Sequence, residues 1–231
     1  MESIEWESVD ARVLAGVSVD AGADPRHEAQ ARVIRPVTPE ALGARGVLAM
    51  VVECRGAPGA SLASRLMLET LASHFARETP PRDGWLVRAL EAGCDAVRGA
   101  ARRQRFMRGV TVSGAVLLLH QGMASGAFVG SAPLYLLRGR DRYRLSGDTV
   151  TAPLSHAVAV TWAQPFMVDA DDRFLLCTRA VLGEGPEAMA QLIGVDLTGD
   201  HHPQVACDAL IATARQRRSG QALASAMLVA G

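Results

Sequence analysis

The chain has 231 residues, 49% of them apolar, and its 24 basic side chains are matched by 24 acidic ones. That length suits one domain, 1–231, able to bury a core of its own. The balanced charge leaves no basic excess for nucleic acid and no block of like charge for a membrane surface.

Every basic residue is arginine, and lysine and asparagine are both absent, a bias that fits a GC-rich bacterial genome. Cys54, Cys94, Cys177 and Cys207 are never paired as CxxC, which excludes a zinc ribbon and a disulfide framework and predicts buried, reduced thiols. The start "MESIEWESVD" lacks the layout of a signal peptide. The apolar run "AVLLL" at 115–119 is far too short to cross a bilayer, so a soluble, cytoplasmic protein is expected.

In chain order, Val13–Val19 and Ala31–Ile34 read as a pair of strands around a Gly-Ala-Asp-Pro turn region, and Gly46–Glu53 as a third strand in the same sheet. Pro58–Glu78 and Gly84–Gln104 carry apolar residues close to helical spacing, with Asp83 as N-cap of the second. They predict two amphipathic helices side by side on one sheet face. Gly109–Gly147 reads as an antiparallel meander, with "RGRD" at 138–141 as a hairpin turn. A short, less regular piece leads to a strand at Phe174–Thr178. A short helix "EGPEAMAQLIG", a longer one from Pro203 and a final strand "ALASAMLVA" follow. This order predicts an α+β layered fold, helices outside two packed antiparallel sheets.

Several phrases resemble the PPM family, the metal-dependent serine/threonine protein phosphatases with an αββα sandwich. "GVLAMVVECRGAPGASLASRLMLETLASHF" is similar to that family's strand, acidic "DGMGG" loop and long helix. "GVTVSGAVLLLHQGMASGAFVGSAPLYLLRGRDRYRLSGD" resembles its "GTT" strand and "VGDSRAYLLR" hairpin. "VDADDRFLLCTRAVL" resembles the "GDRLLLCSDGL" strand, and the last helix and strand match the end of the family pattern. The resemblance covers nearly the whole chain.

The family's chemistry, as the resemblance implies it, uses two divalent cations bridged by aspartates, which hold the phosphate and activate a water. Here the bridging Asp falls on Val52, or on Glu53 with a one-residue gap. The Asp of "GDSR" becomes Ser131, "SDG" becomes Thr178-Arg179-Ala180, and the final "DN" falls on Ala222-Leu223. At the N-terminal "NEDA" motif, Glu28 can take the Glu position, but Ala29 stands for the Asp. A dication about 4 Å from one unit charge feels roughly 8 kcal/mol at an effective dielectric near 20. Arg179 in place of an aspartate reverses that term. Only about twenty residues separate Leu145 from Val168, less than the family's usual connection with its substrate-side flap.

The expectation is a PPM-like pseudophosphatase: no catalytic residues, no metal or other cofactor, acting as a binding or regulatory module in bacterial phosphorylation-dependent signalling. Its partner would be a protein, either phosphorylated or itself a kinase, with neither nucleic acid nor membrane involved. Arg26, Arg55 and Arg179 are candidate phosphate-binding groups, since guanidinium matches phosphate oxygens bidentately; the plainer reading is solvated arginine. Two alternatives stand beside it. One is an active Mn- or Mg-dependent phosphatase using Glu53, Glu28 and Asp171 or Asp172; the other is a structural subunit of a larger assembly. Cys54 and Cys177 read as buried hydrophobes rather than metal ligands, and His201-His202 as solvated helix entry. Ser61 and Ser64 lack a nucleophile elbow.

Overall fold

The computed structural model describes residues 13–77, 84–147, 160–182, 202–217 and 220–231. In its N-terminal half lie β1 (Leu14–Asp20), β2 (His27–Ile34), α1 (Pro39–Arg45), β3 (Val47–Arg55), α2 (Ala60–Arg77) and α3 (Trp85–Arg103). Four strands follow: β4 (Thr111–His120), β5 (Met123–Val129), β6 (Leu134–Arg138) and β7 (Asp141–Arg144). The chain continues with β8 (Val160–Met167), β9 (Arg173–Cys177), α4 (Arg179–Leu182), α5 (Pro203–Arg217) and β10 (Leu223–Val229).

Two of these elements escape the periodicity reading. Helix α1 is short, and its signal is local: the Thr38 hydroxyl accepts from the Ala41 N–H at 3.2 Å, Pro39 opens the helix and Glu40 sits in the first turn, all features that favour a helix start. Strand β8 lies in the stretch read as irregular and contains Pro165. It is an edge strand, the place where a missing backbone donor is tolerated. Asp83 and the "EGPEAMAQLIG" segment lie outside the described residues; the N-cap of α3 is Gly84, at φ 71°.

The strands form two antiparallel sheets of five, in the orders β1-β10-β9-β6-β7 and β2-β3-β4-β5-β8. This corrects two expectations. β1 does not pair with β2: it runs along β10, with Leu14 opposite Val229 and Asp20 opposite Leu223, and so lies in the other sheet from β2 and β3. The 109–147 stretch is not one meander but two hairpins, β4-β5 in the second sheet and β6-β7 in the first. The crossing between them turns at Gly130, with φ 65°, where a Cβ would stand 2.6 Å from the Ser113 hydroxyl. The hairpin turn at 138–141 is present, Arg138 facing Asp141.

Period-two alternation sorts the side chains into three cores. On β3, Leu48, Met50, Val52 and Cys54 face α2 and α3, packing with Met67, Leu71, Leu90 and Val97. Val47, Ala49 and Val51 face the other way and meet Phe174, Leu176 and Ala226 across the sandwich. The outer face of the first sheet, with Leu175, Cys177 and Met227, packs against α4 and α5 through Leu182, Cys207 and Leu210. Each fully buried leucine or methionine of this kind contributes about 2 kcal/mol. The layers are therefore helix, sheet, sheet, helix. Gly16 lets the start of α5 lie directly on β1: a Cβ there would be 2.3 Å from the backbone of Pro203 and Gln204.

Candidate functional site

Glu53, Ser131, Thr178 and Ala222, singled out from the sequence, lie at one end of the sandwich, where β3 and β9 finish and β2, β4 and β10 begin. Alternation along β3 separates two of them. Val52 points into the helix-side core. Glu53 is 2% exposed and shares the inter-sheet face with Val47, Ala49 and Val51, so it is Glu53 that projects into the end of the sandwich. Ala29 on β2 and Ser113 on β4 flank it in the ladder.

Glu53 has two partners on one oxygen. Its Oε1 lies 2.7 Å from His27 Nε2 and accepts from the Arg55 guanidinium. His27 is itself buried and also touches the opposite sheet, because the backbone N–H of Ala222, just before β10, donates to its Nδ1 at 3.4 Å. A ring nitrogen that accepts cannot carry the hydrogen, so the hydrogen is on Nε2 and is donated to Glu53. The other carboxylate oxygen, Oε2, is buried with no hydrogen-bond partner among the described residues. Arg55, whose side chain is 44% exposed, covers the pair from the solvent side.

The remaining positions surround this pair. The Ser131 N–H donates to the hydroxyl of Ser113 at 3.4 Å, and Ser113 is the ladder partner of Glu53. Thr178 locks the end of β9 to β10: its N–H donates to the Ala224 carbonyl at 2.9 Å, and its hydroxyl accepts from the Ala224 N–H at 3.3 Å. Arg179 follows as the exposed first residue of α4. Arg26 is exposed too, and its carbonyl accepts from the Gly56 N–H at 2.9 Å, so it stands beside Arg55. Arg26 before β2, Arg55 ending β3 and Arg179 opening α4 thus stand at the same end of the sandwich, with Arg55 on the buried acid itself.

Other expected groupings are not assembled. Glu28 shares the helix-side face of β2 with Gln30, whose amide donates to it at 3.4 Å, and so points away from Glu53. Asp172 is at the far end of β9, 1% exposed, held bidentately by Arg138 at 2.8 and 2.7 Å. Glu53, Glu28 and Asp171 or Asp172 therefore form no common site. Cys54 faces α2 and α3 while Cys177 faces α5, so they cannot share a metal. Burial pushes both thiols well up, and the nearby Glu53 charge adds to the effect. His202 takes a structural part, its Nδ1 accepting from the Gln204 N–H at 3.2 Å as α5 begins; His201 lies outside the described residues. Sequence reasoning missed His27. The signal was the alternation Ala29, Ala31, Val33 on the inter-sheet face, which extends backwards to His27 once β2 is started early enough.

No protein-family model matches the sequence and no curated protein matches it. Solved structures do. The serine/threonine phosphatase PstP/Ppp of Mycobacterium tuberculosis superposes with a TM-score of 0.73 at 16% identity, over 94% of this chain and 98% of that one. The chain has the fold of the PPM serine/threonine phosphatases. The PPM Ser-Thr phosphatase MsPP from Mycobacterium smegmatis, solved with cacodylate, gives 0.69 at 18% identity, covering 94% and 98%. PppA of Pseudomonas aeruginosa, a key regulatory component of T6SS, gives 0.68 at 19%, covering 95% and 98%.

The catalytic domain of PstP has been solved with two manganese ions, so the fit of such ions to this PPM-fold corner can be tested against its residues. They do not fit. Among the described residues no three His, Cys, Asp or Glu side chains come together as a metal-holding group. The one inward acid already has Arg55 on it. No described helix is long and apolar enough to cross a membrane.

Proposed function

We propose that this chain is a PPM-fold pseudophosphatase, a module that binds a phosphorylated protein without hydrolysing it and acts as a regulatory partner in bacterial signalling. The observation that carries the reading is the pairing of Glu53 with His27 and Arg55, where a working centre of the kind the resemblance implies would need carboxylates around dications. Hydrolysis would need an activated water; both ring nitrogens of His27 are engaged, and the unpartnered Oε2 of Glu53 is buried behind Arg55. What the rim does offer is guanidinium, from Arg26, Arg55 and Arg179, suited to phosphate oxygens. A regulatory role on this fold has a parallel in PppA, a regulatory component of T6SS.

The test has two arms. With 4-nitrophenyl phosphate and Mn²⁺ the purified chain should show no turnover above buffer. A fluorescent phosphoserine peptide should bind saturably, and Arg179→Ala or Arg26→Ala should weaken it about tenfold, the loss expected for one charged hydrogen bond. Mn²⁺-stimulated turnover abolished by Glu53→Gln would replace this reading with that of an active phosphatase. Peptide binding indifferent to both arginines would remove the phosphate role.

A further inference from the structure

The stretch from the end of α3 to the start of β4 carries a charge that the whole chain does not. The molecule balances 24 basic against 24 acidic residues, yet no acid occurs between Ala96 and Arg140 or between Cys54 and Leu68. Into this gap fall Arg102 and Arg103 in the last turn of α3, Arg105 in a 3-10 turn (Arg105–Met107), and Arg108 directly after it. All four are exposed, and none is in an ion pair among the described residues. The first two complement the negative end of the α3 dipole. Arg105 and Arg108 lie beyond the helix and have no such task. Between them stands Phe106, 50% exposed.

The backbone holds this turn in place. The Gly59 N–H donates to the Phe106 carbonyl at 3.0 Å, and the Met107 and Arg108 N–H groups donate to the Gln104 and Arg105 carbonyls at 3.1 Å. Gly59 makes room for it, since a Cβ there would be 2.5 Å from Met107 and 3.0 Å from the Phe106 ring. The Thr111 hydroxyl, just beyond the turn, donates to the Arg55 carbonyl at 3.3 Å. The basic turn therefore adjoins the strand end that carries Arg55. Arginine and aromatic side chains are the usual anchors of protein interfaces, and a backbone already fixed lowers the cost of binding.

The patch is also bounded. Glu91 and Asp95, both exposed, stand on the same side of α3 about 16 and 10 Å back from Arg102. On the other flank is the exposed Asp24, whose carboxylate accepts from the Arg26 N–H at 2.9 Å. A nucleic acid draws its affinity from many phosphates in line, and an anionic membrane from a broad basic face. Four guanidiniums and one ring between acids suit a short segment instead. We infer that Arg102, Arg103, Arg105 and Arg108 with Phe106 form a docking surface for an acidic segment of a partner protein, in which an apolar side chain meets Phe106. The inference rests on the reading of the chain as a protein-binding module and names the chemistry of what it binds.

Fluorescence anisotropy tests it with a labelled, unphosphorylated peptide of glutamates and aspartates around one leucine. The peptide should bind saturably, and more weakly as KCl is raised. Arg105→Glu and Arg108→Glu should each weaken it about tenfold, because like charges then face one another. Arg140→Glu makes the same change of net charge at the exposed turn between β6 and β7, and should leave the affinity within about twofold. Replacing the peptide's leucine by serine should weaken binding to the unaltered chain but not to Phe106→Ser. Should a glutamate variant melt early, Arg105→Gln with Arg108→Gln is read in its place. Affinity unmoved at Arg105 and Arg108, or moved equally by Arg140→Glu, overturns the inference. Tighter binding of an RNA oligonucleotide or of phosphatidylserine vesicles than of the peptide does so too. Arg26→Ala and Arg179→Ala should leave this probe unaffected. A chain that binds the phosphoserine peptide but not this one therefore keeps the phosphate role and loses the acidic surface, and the opposite result keeps the surface alone.

Discussion

His27 is the residue on which the two sheets meet at the functional end. One ring nitrogen serves Glu53 in the second sheet and the other receives the Ala222 N–H entering the first. Truncating it strips a donor from a buried carboxylate and leaves a backbone N–H without its acceptor, and removing one partner of a buried charged network costs about 3 kcal/mol. His27→Ala should therefore lower the unfolding free energy obtained from urea titration by that much, whereas a change below about 0.5 kcal/mol, typical of surface positions, would show the network to be idle. Of the residues at this corner, Glu53 drew attention because a one-residue gap, in place of Val52, puts it where a family phrase has an acid, and Arg179 because it stands at another such position. His27 was not, since no such phrase places a histidine there. Its role comes from the register of β2 on β3, a long-range fact that a strand read as starting at Ala31 does not contain.

Elements show a similar division. Helices α2, α3 and α5 and most strands followed from local periodicity and turn residues, and those were readable. Which sheet a strand joins is decided by partners far away in sequence, and there local reasoning put β1 beside β2. The edge that β1 presents is managed by one side chain. Gln204, in the first turn of α5, accepts from the Val17 N–H at 3.0 Å and donates to the Val17 carbonyl at 2.7 Å. That carboxamide does what a neighbouring strand would do, and Asp208 fixes its orientation at 3.0 Å. Nearby, a shallow depression of about 530 Å³ lies between β1 and α5, lined by Val19, Asp20, Ile211 and Arg215 among others. An uncovered edge strand is a template for pairing. Gln204→Ala should thus give concentration-dependent self-association in sedimentation velocity, and a variant that sediments like the parent at all concentrations would argue against the guarding role.

Across the whole molecule the four thiols are buried and uncharged. Burial raises all four, Cys94 and Cys207 to about 12, with Cys54 and Cys177 shifted in the same direction. The sign follows from proton counting. Below about pH 8.5, the ordinary thiol value, folded and unfolded chains both keep these protons and stability does not respond. Above it the unfolded chain releases them while the folded one holds on, so stability falls as pH rises, by about 1.4 kcal/mol per pH unit for each thiol. The urea midpoint should therefore be lower at pH 10 than at pH 8, and equal midpoints would refute it.

Because Leu14 on β1 lies opposite Val229 on β10, with β10 inserted between β1 and β9, the first sheet has an order of assembly written into it. The second sheet uses strands that have all been made by Met167. At ribosomal speeds of about 5–20 residues per second, β1 emerges roughly 10–40 s ahead of the strand it needs. Through that interval the backbone edge that β10 will pair has no permanent partner. A nascent chain of this kind therefore spends its synthesis as half a sandwich, in the care of the tunnel mouth and whatever chaperone waits there.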